Sequence, residues 1–151
     1  MSEKNVIVDR VFAADNHTVW RALTENDLMK QWYFDLAEFR PEVGFKFEFL
    51  AGDEAGKQWK HVCEVTEVVL EKKLVHTWTY EGYSGVSYVT WELFADGEST
   101  RLKLTHSGIE TFPGEVPELA IHNFEKGWDH IVNISLKEFW RKNEYGSSIR
   151  F

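Results

Sequence analysis

Over residues 44–106, apolar side chains recur at every second position, which is the spacing of half-buried β-strands. In the segment 45–49, three phenylalanines share one face while Lys46 and Glu48 share the other. The same period continues in four further runs separated by turn sequences such as AGDEAGK, GYSG and Asp-Gly: 59–65, 74–80, 89–93 and 102–106. With an opening strand over residues 4–12, this pattern predicts about six strands, joined mostly as an antiparallel meander, with a bulge or strand end near Glu67.

Two short helices are predicted between the first and second strands. Asp15 is a favourable N-cap for the first of them. Thr24, with Asp27 three residues later, resembles a capping box that opens the second. The apolar faces of these two helices carry Val19, Trp20, Leu23, Leu28, Met29 and Trp32.

The last third of the chain changes to helical spacing. The segment 118–143 contains no proline and one glycine, and its apolar residues follow a period of 3.6. A helix of about 25 residues would be about 38 Å long. The sequence therefore predicts an α+β protein in which a curved antiparallel sheet of about six strands wraps a long C-terminal helix. We expect one domain over residues 1–143 and a frayed tail over residues 144–151.

The charge balance limits the classes of partner. With 17 Lys and Arg against 25 Asp and Glu, the formal net charge is -8 and the pI is about 5.2, which disfavours nucleic acid and anionic membrane surfaces. No leader or membrane-spanning segment is recognised, and Cys63, the single cysteine, fits a small buried hydrophobic residue. We therefore expect a cytoplasmic protein that is a monomer or a weak homodimer, without metal or other cofactor.

Three histidines, His61, His76 and His106, share the strand phase of their apolar neighbours and should point into the concave side of the sheet. The predicted turns place His76 near Trp91 and His106 near Tyr88. We expect no shared metal at these histidines, because zinc needs its nitrogen ligands about 2 Å from one point. Two interpretations stay open: polar anchors in an apolar ligand pocket, or core histidines hydrogen-bonded to their surroundings.

Large aromatic residues lie on the same inward positions and on the long helix. They either fill the core or line a pocket that binds a flat ligand. If they line a pocket, the candidate ligand-binding set, with the three histidines included, is Trp32, Phe47, Trp59, His61, His76, Trp78, Trp91, His106, Phe124 and Trp128.

Four segments together resemble a known family: VWRALTENDLMKQWYF, EVGFKFEF, TWELFADGESTRLKLTHSG and FEKGWDHI. They look like the family of heat-shock protein 90 ATPase activator homologues, within the START-like or SRPBCC superfamily of helix-grip folds. The resemblance covers roughly residues 4–143. It implies a pocket between the concave sheet and the long helix, which the superfamily uses for lipids, polyketides, hormones and other apolar ligands.

Three functions follow as hypotheses. The first is binding of a small apolar, aromatic or lipid-like ligand without chemistry. The second, implied by the family resemblance, is a protein-interaction module that regulates a chaperone, the heat-shock protein 90 ATPase. The third is a cavity enzyme of cyclase or hydrolase type in which His76 or His106 acts as general base.

Overall fold

A computed structural model describes residues 5–34, 36–52 and 56–143 of the chain. The first half runs β1 Val6–Phe12, α1 Asn16–Thr24, α2 Asn26–Met29, β2 Lys46–Gly52 and β3 Gln58–Val69. The second half runs β4 Lys73–Tyr80, β5 Ser87–Asp96, β6 Ser99–Ser107, α3 Ile121–His130, a π-helical segment Ile131–Leu136 and α4 Lys137–Asn143. Two 3₁₀ turns, Ile109–Thr111 and Pro117–Leu119, precede α3. The predicted frayed tail lies outside the described residues.

The strands in the described residues form one antiparallel sheet of six, in the order β1-β6-β5-β4-β3-β2. This confirms the predicted α+β architecture. The predicted bulge is also confirmed, because the register between β3 and β4 shifts between Val65 and Glu67. At the β5–β6 hairpin, Asp96 pairs with Ser99, and Gly97 has φ +64°, a backbone region that glycine enters without strain.

The first predicted cap is confirmed and the second is wrong. The Thr18 N–H donates to Asp15 Oδ1 at 2.9 Å and so caps α1. Thr24, however, is the last residue of α1, and its hydroxyl donates to the Trp20 carbonyl at 2.8 Å. Because Thr24 still has helical backbone in α1, the N-cap position of α2 falls on Glu25, and α2 begins at Asn26 without a side-chain cap.

The long C-terminal helix is confirmed, and α3, the π-helical segment and α4 follow one another without a gap over residues 121–143. It begins later than predicted, because Pro117–Leu119 forms a separate 3₁₀ turn. On the π-helical segment, Val132 and Leu136 are buried, and Arg10 Nη1 of β1 donates to Asn133 Oδ1 at 2.9 Å. The helix is thus held against the sheet by apolar packing and by this bond.

Candidate functional site

A cavity of about 240 Å³ lies between one half of the concave sheet face and α3. Strands β2, β3 and β4 contribute the residues nearest the β2–β3 and β4–β5 connections, and α3 contributes one face of its helix. The lining residues are Phe34, Ala51, Gly52, Trp59, His61, Trp78, Tyr80, Glu118, Leu119, Asn123, Phe124, Gly127, Trp128 and Ile131.

Aromatic rings form most of the wall. Trp59 on β3 and Trp78 on β4 point inward because alternate strand residues share a face. Trp128 comes from α3, and its ring centroid lies 5.2 Å from that of Trp78. Phe34, in the loop after α2, also lines the cavity and stacks on Phe49 with 4.3 Å between the ring centroids.

Apart from Glu118, the polar side chains of this wall are neutral and mostly bonded to protein. His61 Nδ1 donates to the Trp59 carbonyl at 2.9 Å, and burial lowers the pKa of His61 to about 4, so that the ring is uncharged at pH 7. Trp78 Nε1 donates to Tyr80 Oη at 2.9 Å. Burial raises the pKa of the Tyr80 phenol, which therefore keeps its proton. Asn123 Nδ2 donates to the carbonyls of Pro117 and Glu118 at 3.0 and 3.3 Å.

Half of the predicted ligand-binding set lines this cavity: Trp59, His61, Trp78, Phe124 and Trp128. The other half does not: Trp32, Phe47, His76, Trp91 and His106. Four of these surround a separate void of about 10 Å³, barely large enough for one water molecule. Over this part of the sheet, the loop after α2 covers Trp91 with the rings of Trp32 and Tyr33 at centroid distances of 6.0 and 6.1 Å.

His106 belongs to a buried chain of hydrogen bonds that joins α3 to three strands. Trp128 Nε1 donates to His106 Nδ1 at 2.8 Å, so the imidazole proton lies on Nε2 and is donated to Ser87 Oγ at 2.7 Å. The Ser87 hydroxyl then donates to the Trp78 carbonyl at 2.8 Å. Burial, and secondarily His76, lowers the pKa of His106 to about 3, so the neutral ring that this chain requires is the stable form.

His76 is satisfied in the same way. Its Nδ1 donates to the Thr77 carbonyl at 3.0 Å, and its Nε2 accepts from Trp91 Nε1 at 3.3 Å. The second bond confirms that His76 lies near Trp91, as the sequence predicted. Burial lowers the pKa of His76 to about 4. A general base needs a lone pair within reach of the substrate. Both ring nitrogens of His76 and of His106 are occupied, and neither residue lines the cavity, so this geometry does not support the enzyme hypothesis.

Sequence reasoning did not select several lining residues, including Phe34, Tyr80, Asn123 and Gly127. Two of them carried a usable signal. Tyr80 shares the inward phase of Trp78, and Gly127 is the one glycine within residues 118–143. Among the described residues, no group of three or more His, Cys, Asp or Glu side chains is placed to hold a metal ion. No helix in that part of the chain is long and apolar enough to cross a bilayer.

A curved antiparallel sheet that holds a long C-terminal helix over an apolar cavity defines a helix-grip protein of the START-like class. The model of one family in this class, described as activator of Hsp90 ATPase homolog 1-like protein, matches residues 13–140. The chain therefore belongs to that family, which confirms the resemblance seen in the sequence.

Solved structures share this fold. The chain is similar to protein MLL2253 from Mesorhizobium loti, with a TM-score of 0.72 and 24% identity over 93% of this chain and 99% of that one. It is also similar to Mll3558 from Rhizobium loti, with a TM-score of 0.76 and 18% identity over 91% of this chain and 97% of that one. CalU16 from Micromonospora echinospora has a TM-score of 0.70 and 20% identity over 91% of this chain and 76% of its own. A search of the curated proteins found no match.

Proposed function

We propose that this protein binds a small apolar ligand, aromatic or lipid-like, in the cavity between β2–β4 and α3, without chemical conversion. The observation that carries this proposal is an open volume of about 240 Å³ walled by Trp59, Trp78, Phe124 and Trp128. An apolar cavity of about 150 Å³ is enough to bind benzene, whereas pockets for drug-sized ligands are about 300–1,000 Å³. The volume therefore favours a compact ligand over a sterol or a long acyl chain.

Gly127 supports the proposal. It lies within α3, its φ is outside the left-handed region, and a Cβ built there would meet no heavy atom within 4 Å. No conformational or packing constraint therefore demands glycine at this position. Glycine within a helix costs about 0.5–1 kcal/mol of stability relative to alanine. A residue that lowers stability and leaves the cavity open is consistent with a binding role.

Replacing Gly127 with leucine tests this function. The side chain should fill the mouth of the cavity, so we expect the affinity for naphthalene to fall at least tenfold. The free energy of unfolding should stay equal or rise by up to about 1 kcal/mol, because leucine and alanine both favour helix over glycine. Isothermal calorimetry gives the affinity and urea unfolding gives the stability.

Glu125→Leu is the matched control, because Glu125 is exposed on the same helix and does not line the cavity. It should bind naphthalene as the native protein does. If the native protein binds neither naphthalene nor any member of a panel of flavonoids, fatty acids and sterols, the proposal is wrong. Equal naphthalene binding by Gly127→Leu would place the ligand outside this cavity.

Membership of the family supports a second candidate, regulation of a heat-shock protein 90 ATPase. If this is the function, the protein should bind the chaperone of its own host at micromolar concentration and change its rate of ATP hydrolysis. A measurement that finds neither binding nor a rate change at high micromolar concentration would remove this candidate. Both candidates agree with the expected cytoplasmic location.

A further inference from the structure

The cavity wall contains one buried hydroxyl whose proton has no acceptor among the hydrogen bonds of the described residues. Tyr80 is 8% exposed, and its Oη accepts the Trp78 Nε1–H at 2.9 Å. A phenol can both accept and donate, and this bond uses only an acceptor site. Buried donors in proteins are normally paired. The Tyr80 O–H is therefore available to a partner that enters the cavity.

The charges at the cavity select against an anionic partner. Of the described lining residues, Glu118 alone carries a charge at pH 7, since His61 is neutral, and Glu118 is exposed on the 3₁₀ turn before α3. Lys57 does not line the cavity; its Nζ lies 4.1 Å from the Trp59 ring centroid and 2.9 Å from Tyr83 Oη. A carboxylate placed among these rings would lose its hydration without gaining a cation.

The walls also define the shape of the partner. The planes of Trp78 and Trp128 are inclined by 59° with their centroids 5.2 Å apart, and Phe124 and Phe34 add further rings. Such surfaces favour a flat ligand that packs by stacked or edge-to-face contacts. Since about 150 Å³ accommodates a single benzene ring, the volume of about 240 Å³ suits two fused rings.

We infer that the ligand is a neutral, flat molecule of about two rings that carries a carbonyl or ring-nitrogen acceptor, and that the Tyr80 hydroxyl donates to this acceptor. This inference rests on the proposed binding function. It makes Tyr80 the residue that separates acceptor-bearing ligands from plain hydrocarbons of the same size.

Three bicyclic probes test the inference: naphthalene, which has no acceptor, coumarin, which is neutral and carries a carbonyl, and 2-naphthoate, which is an anion. The measured quantity is the ratio of the dissociation constant of naphthalene to that of coumarin, obtained by calorimetry at pH 7. In Tyr80→Phe we expect this ratio to fall about three- to tenfold, as the loss of one net hydrogen bond predicts. Tyr83→Phe is the matched control, because Tyr83 does not line the cavity, and its ratio should be native.

The affinity for the anion 2-naphthoate tests the charge of the ligand separately. We expect 2-naphthoate to bind at least tenfold more weakly than coumarin, and Glu118→Gln to recover part of that loss. A tighter or equal affinity for 2-naphthoate would overturn the neutral class of ligand.

A spectroscopic measurement does not depend on the folding of Tyr80→Phe. Bound to the native protein, the coumarin carbonyl should absorb in the infrared at lower wavenumber than in hexane, because it accepts a hydrogen bond. A band at the hexane position would overturn the role of Tyr80, as would an unchanged ratio in Tyr80→Phe. If neither naphthalene nor coumarin binds, the proposed function itself fails, which is a distinguishable result.

Discussion

Replacing Trp128 with alanine is expected to lower the free energy of unfolding by about 3–5 kcal/mol, the usual cost of removing a large aromatic side chain from a core. The indole is 2% exposed and packs against Trp78 and Trp91 at centroid distances of 5.2 and 5.7 Å. For a domain of this size, a loss of about 4 kcal/mol should lower the melting temperature by about 8–16 °C. Calorimetric and urea unfolding measure both quantities.

Two further variants test how much of this free energy depends on the indole N–H and on the buried position of Trp128. Trp128→Phe keeps an aromatic ring but removes the N–H that binds His106 Nδ1, and a buried acceptor left unpaired costs about 1–3 kcal/mol. Ile134→Ala, at a residue 50% exposed on the same helical stretch, should change the stability little. If Trp128→Ala costs no more than Ile134→Ala, Trp128 does not hold α3 against the sheet.

The sequence predicted which face of each strand is buried, because a period of two fixes the direction of every side chain. Trp78, Trp91 and His106 accordingly point inward. The period of two does not predict which residues, if any, pack over each inward side chain. Trp91 lies beneath Trp32 and Tyr33 of the loop after α2, whereas Trp78 reaches the open cavity beside α3.

That difference depends on the path of a loop with no periodic pattern, so it could not be predicted from spacing. The same reason explains why Phe34 was missed as a lining residue. The mistaken cap at Thr24 has a local cause, since a threonine hydroxyl can bond forward as a cap or backward to the carbonyl four residues earlier. Here α1 extends through Thr24, so the hydroxyl bonds backward to the Trp20 carbonyl and the N-cap position of α2 falls on Glu25.

Acid is expected to destabilise the fold steeply as the pH falls from about 6.5 towards 4. The buried imidazoles of His61 and His76 have pKa values of about 4 in the folded protein, and that of His106 is about 3, against an ordinary value of 6.5. Below pH 6.5 the unfolded chain takes up these protons and the folded protein does not, so protonation favours unfolding. Above pH 6.5 neither state binds them, and the three groups contribute no pH dependence.

The magnitude follows from linkage. Each such group contributes a slope of up to about 1.4 kcal/mol per pH unit, and three together up to about 4 kcal/mol per unit, between the unfolded and folded pKa values. Summed from pH 6.5 to pH 4, the three groups remove about 9 kcal/mol, which is comparable with the whole stability of a small domain, about 5–15 kcal/mol. The protein should therefore lose most of its stability by pH 4. Urea unfolding at intervals between pH 8 and pH 5 measures the slope.

Single replacements identify the groups responsible for this slope. Gln has a carbonyl and an amide that can accept and donate in place of the two imidazole nitrogens, but it does not titrate. His61→Gln, His76→Gln and His106→Gln should therefore each reduce the slope below pH 6.5 by about a third, whatever they do to the stability at pH 8. His122→Gln, at an exposed position on α3, removes no buried imidazole and should leave the slope unchanged. A native stability that stays constant from pH 7.5 to pH 5 would contradict this prediction, because the folded protein would then take up these protons at the same pH as the unfolded chain.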